Sequence, residues 1–592
     1  MKRMSQCKDD IADENGNTAL HYAISYQEFE MAKKLISLGV DVCAANSDQV
    51  TPLQLAIANR IPIGCLDKRT ADLGKRVPLF SICLDSYDCA VNARNDKVLK
   101  ALGCNRIRSD DDNRKLVKML LDAGADVNVK DLFECSPIHC AVYTGDLELV
   151  NILIDAGADV NGHNDLGVTA LHYAVLCRNV SMVQLLLNRG ALANASYNNV
   201  CEPPLFWASM LNWDNGLDVI IRTLLEAGGD LNQFHSSDLN YSDSSIFSDS
   251  DFLQTPFHYI LMYGDIDLVK LCIEKYNADL KLTGENMDEN DALKFAVYNE
   301  DISVMNLMLK KGITKCTYGL TALHLASLWF RPQHVQQLIA DGDDVNRLVR
   351  GDYDLYSDFT PLALVVDNNT FSNGATQELY EALECEMDRP NAAEDRRRTI
   401  KVLLDCGANL NQKIHERTAL EIAISNRPAN SEEPDDAERL IIEHTAEVEA
   451  RTNEKVFDEY NLKLINANPR SKAYYEKCQA ELTAMRNSKI EGTSITYFSV
   501  LTKPLEVVAR NFRNEKFVQE FEVNYREAYP VYAWRLKEKF EVARARQQKN
   551  ERALFALSRM LKFADPSFLA FETVLKYLTE EDFDSLINSC TV

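Results

Sequence analysis

The chain alternates short apolar runs with polar turns, and the runs come in pairs. The first run of a pair opens on a hydroxyl residue and a fixed tetrad: Thr18-Ala19-Leu20-His21, Thr51-Pro52-Leu53-Gln54, Ser136-Pro137-Ile138-His139, Thr169-Ala170-Leu171-His172, Thr255-Pro256-Phe257-His258 and Thr321-Ala322-Leu323-His324. The second ends on a Leu-Leu face and a Gly-containing acidic turn, as in Leu120-Leu121-Asp122-Ala123-Gly124-Ala125-Asp126-Val127-Asn128, with copies ending at Asn161 and Asn411. Thr18 to Thr51 and Ser136 to Thr169 are each 33 residues apart, a period that marks stacked supersecondary units. Apolar spacing inside each run is helical. Thr or Ser caps the first helix, and Pro fits its first position, where a missing N–H costs nothing. Gly124, Gly157, Gly190, Gly228, Gly312, Gly342 and Gly407 follow the second helix. A left-handed residue ends a helix there without steric penalty. The chain then turns out and back as a short finger. Weaker copies begin at Pro203, Asp291, Thr360 and Thr418, so ten helix–turn–helix units are expected over residues 13–445, behind a tail at 1–12. Insertions interrupt them near 59–113, 236–252 and 368–395.

The paired halves in phase resemble ankyrin repeats, over roughly three quarters of the chain. The resemblance implies an all-α solenoid with β-turn fingers that works by protein recognition. It implies a structural duty for the fourth tetrad position, so His21, His139, His172, His258 and His324 are expected to bond loop backbone. They recur about once per unit, which makes a row and not a ligand cluster. In such repeats the binding groove is lined by the fingers and by positions just after the small core residues of the first helix. That register selects Tyr26, Phe133, Tyr143, Tyr263, Tyr298, Tyr318 and Trp329 as candidate partner contacts, aromatics being strong interface anchors. Tyr22, Tyr173, Trp207 and Phe295 take the packing position between repeats.

Punctuation by Gly and Pro thins from about Ala437, and runs such as 437–464 and 533–563 carry apolar residues at helical spacing. A separate all-helical C-terminal domain over 446–592 is expected. Arg535, Lys537, Lys539, Arg544, Arg546, Lys549 and Arg552 read as a solvated basic stripe. Lys477-Cys478-Gln479-Ala480-Glu481-Leu482, Ser494 to Leu501 and Tyr529-Pro530-Val531-Tyr532 resemble the C-terminal PRANC region of insect and poxviral ankyrin proteins. The end of the chain, 563–592, is similar to the opening of an F-box. That likeness implies docking onto the Skp adaptor of a cullin ubiquitin ligase through Pro566, Leu569, Val574, Leu575, Leu578 and Phe583. The same apolar residues can equally close the C-terminal helical core.

Composition narrows the function. Apolar residues make up 46% and charged residues 26% of the 592, as in soluble globular chains. The formal net charge is -25, the wrong sign for a phosphate backbone, so no nucleic acid is expected. Residues 1–450 hold 41 basic and 69 acidic side chains, and 451–592 hold 23 and 20. No apolar stretch nears the 18 residues of a membrane span, and Met1 to Asn15 lacks the apolar core of a secretory signal. The sixteen Cys are scattered without a Cys-x-x-Cys pair, as in a reducing, cytoplasmic or nuclear setting. No His-Glu-x-x-His, Gly-x-Ser-x-Gly or Walker loop occurs, and no His follows His444. Neither enzyme activity, a metal nor a cofactor is expected. Within the Ser/Asp-rich insertion 236–252, Ser248 with Asp251 three residues on fits an acid-directed phosphorylation site. The expectation is a substrate-recruiting subunit whose repeats hold a target while its end brings ligase machinery. The alternative is a scaffold or masking protein without a ligase link.

Overall fold

A computed structural model describes residues 12–58 (except 27 and 48), 110–131, 134–197, 202–211, 216–233, 255–280, 292–315, 319–349, 358–367, 391–426 (except 415), 434–560 (except 492) and 587. Among these the fold is almost wholly helical. The strand pair Lys413–Ile414 with Arg417–Thr418 is the exception. The chain divides into two units, 1–317 and 318–592.

The first unit stacks seven helix pairs: Ala19–Ser25 with Phe29–Ser37, Pro52–Ala58 with Asp110–Asp122, Pro137–Thr144 with Leu147–Asp155, Ala170–Leu176 with Val180–Asn188, Pro204–Met210 with Leu217–Glu226, Pro256–Tyr263 with Ile266–Glu274, and Ala292–Tyr298 with Ile302–Lys310. Each first helix is short and mostly buried, because it packs against neighbouring pairs. Each second helix buries one stripe, such as Leu149, Val150 and Leu153, or Met182, Val183 and Leu186. Removing such a Leu would cost about 2–5 kcal/mol. The insertion in the second repeat falls between its two helices, which still pack on one another. It is shorter than expected, since Asp110 to Asn113 already belong to the second helix. Asp111 and Asp112 in its first turn suit the positive end of the helix dipole.

Fingers are tied across repeats by one recurring device. The Asn128 side chain donates to Gly157 O (3.0 Å) and accepts from Asp159 N–H (2.8 Å). Asn161 repeats this with Gly190 and Leu192, Asn194 with Gly228 and Asp230, and Asn232 with Asn277 and Asp279. The last of these spans the Ser/Asp-rich insertion without a change of partners.

The second unit begins with three further pairs, Ala322–Leu328 with Pro332–Ala340, Pro361–Val366 with Ala392–Asp405, and Ala419–Ser425 with Asp436–Thr452. The helix Ala392–Asp405 begins inside the stretch expected as insertion 368–395, again on an acidic first turn, Glu394 and Asp395. Asn346 bonds Gly407 and Asn409 as the earlier asparagines do. The ladder then runs past residue 445. Asn411 donates to Val456 O (2.9 Å) and accepts from Asp458 N–H (3.1 Å). Glu459–Ala467 and Pro469–Asn487 thereby stack as an eleventh pair. Its opening Asp458-Glu459-Tyr460-Asn461 lacks the tetrad, but Asp458 caps the helix, and Asn461, in the His position, bonds Leu410 O and the Thr418 hydroxyl. Among the described residues, helices Tyr497–Thr502, Leu505–Ala509, Glu515–Ala528 and Ala533–Met560 follow, with an aromatic core in which Phe521 stacks on Phe540 at 4.1 Å.

Candidate partner-binding surfaces

The structure places the candidate groove aromatics unevenly. Tyr263 ends the first helix of the sixth repeat and is 45% exposed. Tyr298 ends that of the seventh, is half-buried, and meets Tyr263 edge to face with centroids 5.9 Å apart. Tyr26 and Tyr143 are half-buried at the corresponding helix ends, Tyr26 stacked on Tyr22 at 6.1 Å. Phe133 and Tyr318 lie outside the described residues. Trp329 is a correction: it is 2% exposed, with Phe330 and Arg331 buried beside it. Phe330 turns the chain with φ 51°, and an indole at an apolar helix end gains more by burial than by facing water. Tyr173, Trp207 and Phe295 are buried as expected, but Tyr22 is 42% exposed and donates to Asp13.

Two residues not singled out in the sequence position the tyrosine pair. Asn299, buried, donates to Leu261 O and Gly264 O (both 2.9 Å) and accepts from Asp301 N–H (2.8 Å), which ties the turn after Tyr298 to the turn after Tyr263. Gly264 has no space for a side chain, since a Cβ would lie 2.5 Å from Ile260 O. A polar residue directly after an apolar helix was the available signal for Asn299; its partners lie in another repeat.

Each tetrad histidine serves the backbone. Thr18 N–H donates to His21 Nδ1 (3.1 Å), and His21 Nε2 bonds Val50 O (3.1 Å) in the next finger. His139 reaches Gly162 O, His172 reaches Glu202 O and His324 reaches Arg347 O in the same way. His258 accepts from Thr255 N–H at 2.8 Å. A ring that accepts at Nδ1 and faces a carbonyl at Nε2 is neutral with its proton on Nε2. Burial holds His139, His172 and His324 at about 4 and His258 at about 3. In the second repeat Gln54 performs the task, accepting from Thr51 N–H and donating to Cys135 O.

Pro566, Leu569, Val574, Leu575, Leu578, Phe583 and Ser248 lie outside the described residues. The helix Ala533–Met560 before that segment is joined to the repeats by a buried polar cluster. Arg535, expected on a solvated stripe, is 7% exposed and pairs with Glu447 and with Asp405 (3.2 Å). A guanidinium leaves water only where carboxylates meet it. Trp534 Nε1–H donates to Glu443 (3.2 Å), Tyr474 donates to the same carboxylate (2.6 Å), and Tyr532 donates to Glu443 O (3.0 Å). Lys401 pairs with Glu538 and lies over the Trp534 ring. Burial raises the Glu443 carboxyl above its usual range. At Asp405 burial acts in the same sense, but the His444 hydrogen bond and Arg535 outweigh it and leave the carboxyl lowered. Arg544 pairs with Glu522 at 3.0 Å, and Lys537 and Arg552 remain exposed. No group of His, Cys, Asp and Glu among the described residues is arranged to hold a metal, and no described helix is long and apolar enough to cross a membrane.

Comparison with known proteins agrees with this architecture. A family model for ankyrin repeats matches residues 1–67, 107–198 and 257–348. An ankyrin repeat protein of fowlpox virus (strain NVSL), FPV022, is 28% identical over 148 residues. That match covers 22% of this chain and 25% of the viral protein. Ankyrin repeats are protein-recognition modules, and the matched residues, under half of the chain, are similar to them within an all-α repeat fold.

Proposed function

We propose that this protein is a non-catalytic recruiting subunit acting in the cytoplasm. The ankyrin repeats hold a target protein, and the C-terminal segment 563–592 engages the Skp adaptor of a cullin ubiquitin ligase. The observation that carries target binding is the tyrosine pair on adjacent repeats, Tyr263 and Tyr298, presented at helix ends by Asn299. The ligase link rests on the F-box-like order of Pro566, Leu575, Leu578 and Phe583 in the sequence. Proximity does the chemical work, and ubiquitin transfer belongs to partners.

A second reading is favoured by the buried cluster around Arg535. It joins the C-terminal helices to the last repeats, a structural purpose that needs no ligase, as expected of a scaffold whose helices finish the stack. Affinity capture from cytosol with the full chain and with Leu575→Asp/Leu578→Asp separates the two. Skp and cullin subunits held by the unaltered chain and lost from the variant, with other partners retained, support the recruiting subunit. Identical capture by both, without ligase subunits, leaves the scaffold.

A further inference from the structure

The tyrosine pair lies in the most acidic part of the chain. Residues 201–300 hold 18 Asp and Glu against 5 Lys and Arg, whereas 101–200 hold 12 against 8. Asp265 and Asp267 follow Tyr263 closely, and Glu300 and Asp301 follow Tyr298. Arg222 approaches Asp265 at 3.7 Å and Lys270 approaches Asp267 at 3.9 Å, which leaves a local excess of negative charge. Charges this near one another act together over a Debye length of about 8 Å at physiological salt.

Resting on the reading that the repeats bind a protein, we propose that Tyr263 and Tyr298 form the docking surface for an arginine-rich segment of that partner. The Tyr263 side chain is 45% exposed and braced edge to face by Tyr298, so little ordering is left to occur on binding. A guanidinium stacks on a tyrosine ring while its N–H groups reach carboxylates around it. Lysine, a compact and strongly hydrated charge, gains less from the ring. Polyanions are repelled. The surrounding carboxylates draw a basic segment in, and the tyrosines select arginine over lysine.

Fluorescence anisotropy at about 150 mM salt tests this on the full chain, with labelled nine-residue poly-Arg, poly-Lys and poly-Glu peptides. Poly-Arg is expected to bind several-fold tighter than poly-Lys, with no binding of poly-Glu. Tyr263→Ala/Tyr298→Ala is expected to weaken poly-Arg about tenfold, from lost cation–π contact at two rings. Tyr263→Phe/Tyr298→Phe, which keeps the rings and their packing, should retain most of the affinity, and Glu300→Gln should lose a few-fold. Equal poly-Arg affinity in the Ala variant and the unaltered chain, or loss in the Phe variant equal to that in the Ala variant, overturns the proposal. Cytosolic capture with the same variants separates it from the broader reading. Partners captured alike by all forms, without poly-Arg binding, sink this inference and leave protein recognition standing. Poly-Arg bound in a tyrosine-dependent way, with no protein captured by any form, supports the surface and removes the recruiting role.

Discussion

Cys43 occupies the ladder position where six other repeats carry asparagine. Its thiol reaches Gly124 O at 3.4 Å, where Asn128 makes two bonds to the following repeat. Cys43→Asn is therefore expected to stabilise the chain by about 1 kcal/mol, read as a higher urea midpoint; an unchanged or lower midpoint would show that the ladder adds nothing there. His139, His172, His258 and His324 set a pH dependence. Their pKa values fall from 6.5 in the unfolded chain to about 4 or below in the fold, so below pH 6.5 the unfolded state binds more protons. Their stability is fully present above pH 6.5 and is lost as pH falls toward 4, by about 2 kcal/mol per histidine at pH 5. His172→Gln, which can copy the bonds of Gln54, should flatten that slope without large loss at pH 7. The five histidines could be named from the tetrad because their work recurs once per unit. Asn299 could not, since its bonds to Leu261 O and Gly264 O, 38 and 35 residues away, belong to no repeated motif of the sequence.

Among elements, the repeat helices follow directly from local chemistry: a hydroxyl cap, Pro at the first position, an apolar run and a turn. The long helix Ala533–Met560 does not, because its polar residues divide between water and the interior in a way no periodicity shows. Arg535 belongs to the interior. Arg535→Ala would leave Asp405 and Glu447 without their guanidinium and is expected to cost about 3 kcal/mol or more, whereas Lys537→Ala, on an exposed site, should cost almost nothing. Cys478, buried near Tyr532, supplies a local readout. Its thiol should react faster with a maleimide in Arg535→Ala, and equal rates in the two variants would mean that Arg535 does not hold the helix.

At the largest scale, the ladder carries the stack within each unit across its insertions. Asn232 bonds Asn277 and Asp279 on the far side of residues 236–252, so replacing that stretch with a short Gly linker should leave the melting temperature within about 2 °C. A fall of 10 °C would mean that the insertion carries packing of its own. The eleventh pair has the opposite weight. It covers the tenth through Asn411, Asn461 and Tyr460, whose hydroxyl meets Glu421. Tyr460→Phe with Asn461→Ala is expected to lower the stability of the second unit measurably, as uncovering the end of a repeat stack does.

By itself the sequence determined the repeat count through the tenth pair, the starts of the tetrad-led first helices, the role of the tetrad histidines and the all-α class. These rest on contacts that recur at a fixed spacing, so one period predicts the next. Only the tertiary structure decided that stacking continues past residue 445, that Trp329 and Arg535 are interior while Tyr22 faces water, and that Tyr263 and Tyr298 meet. Each of those depends on a partner from another repeat or from the C-terminal helices, and burial is set by what packs on a residue rather than by the residue's own chemistry.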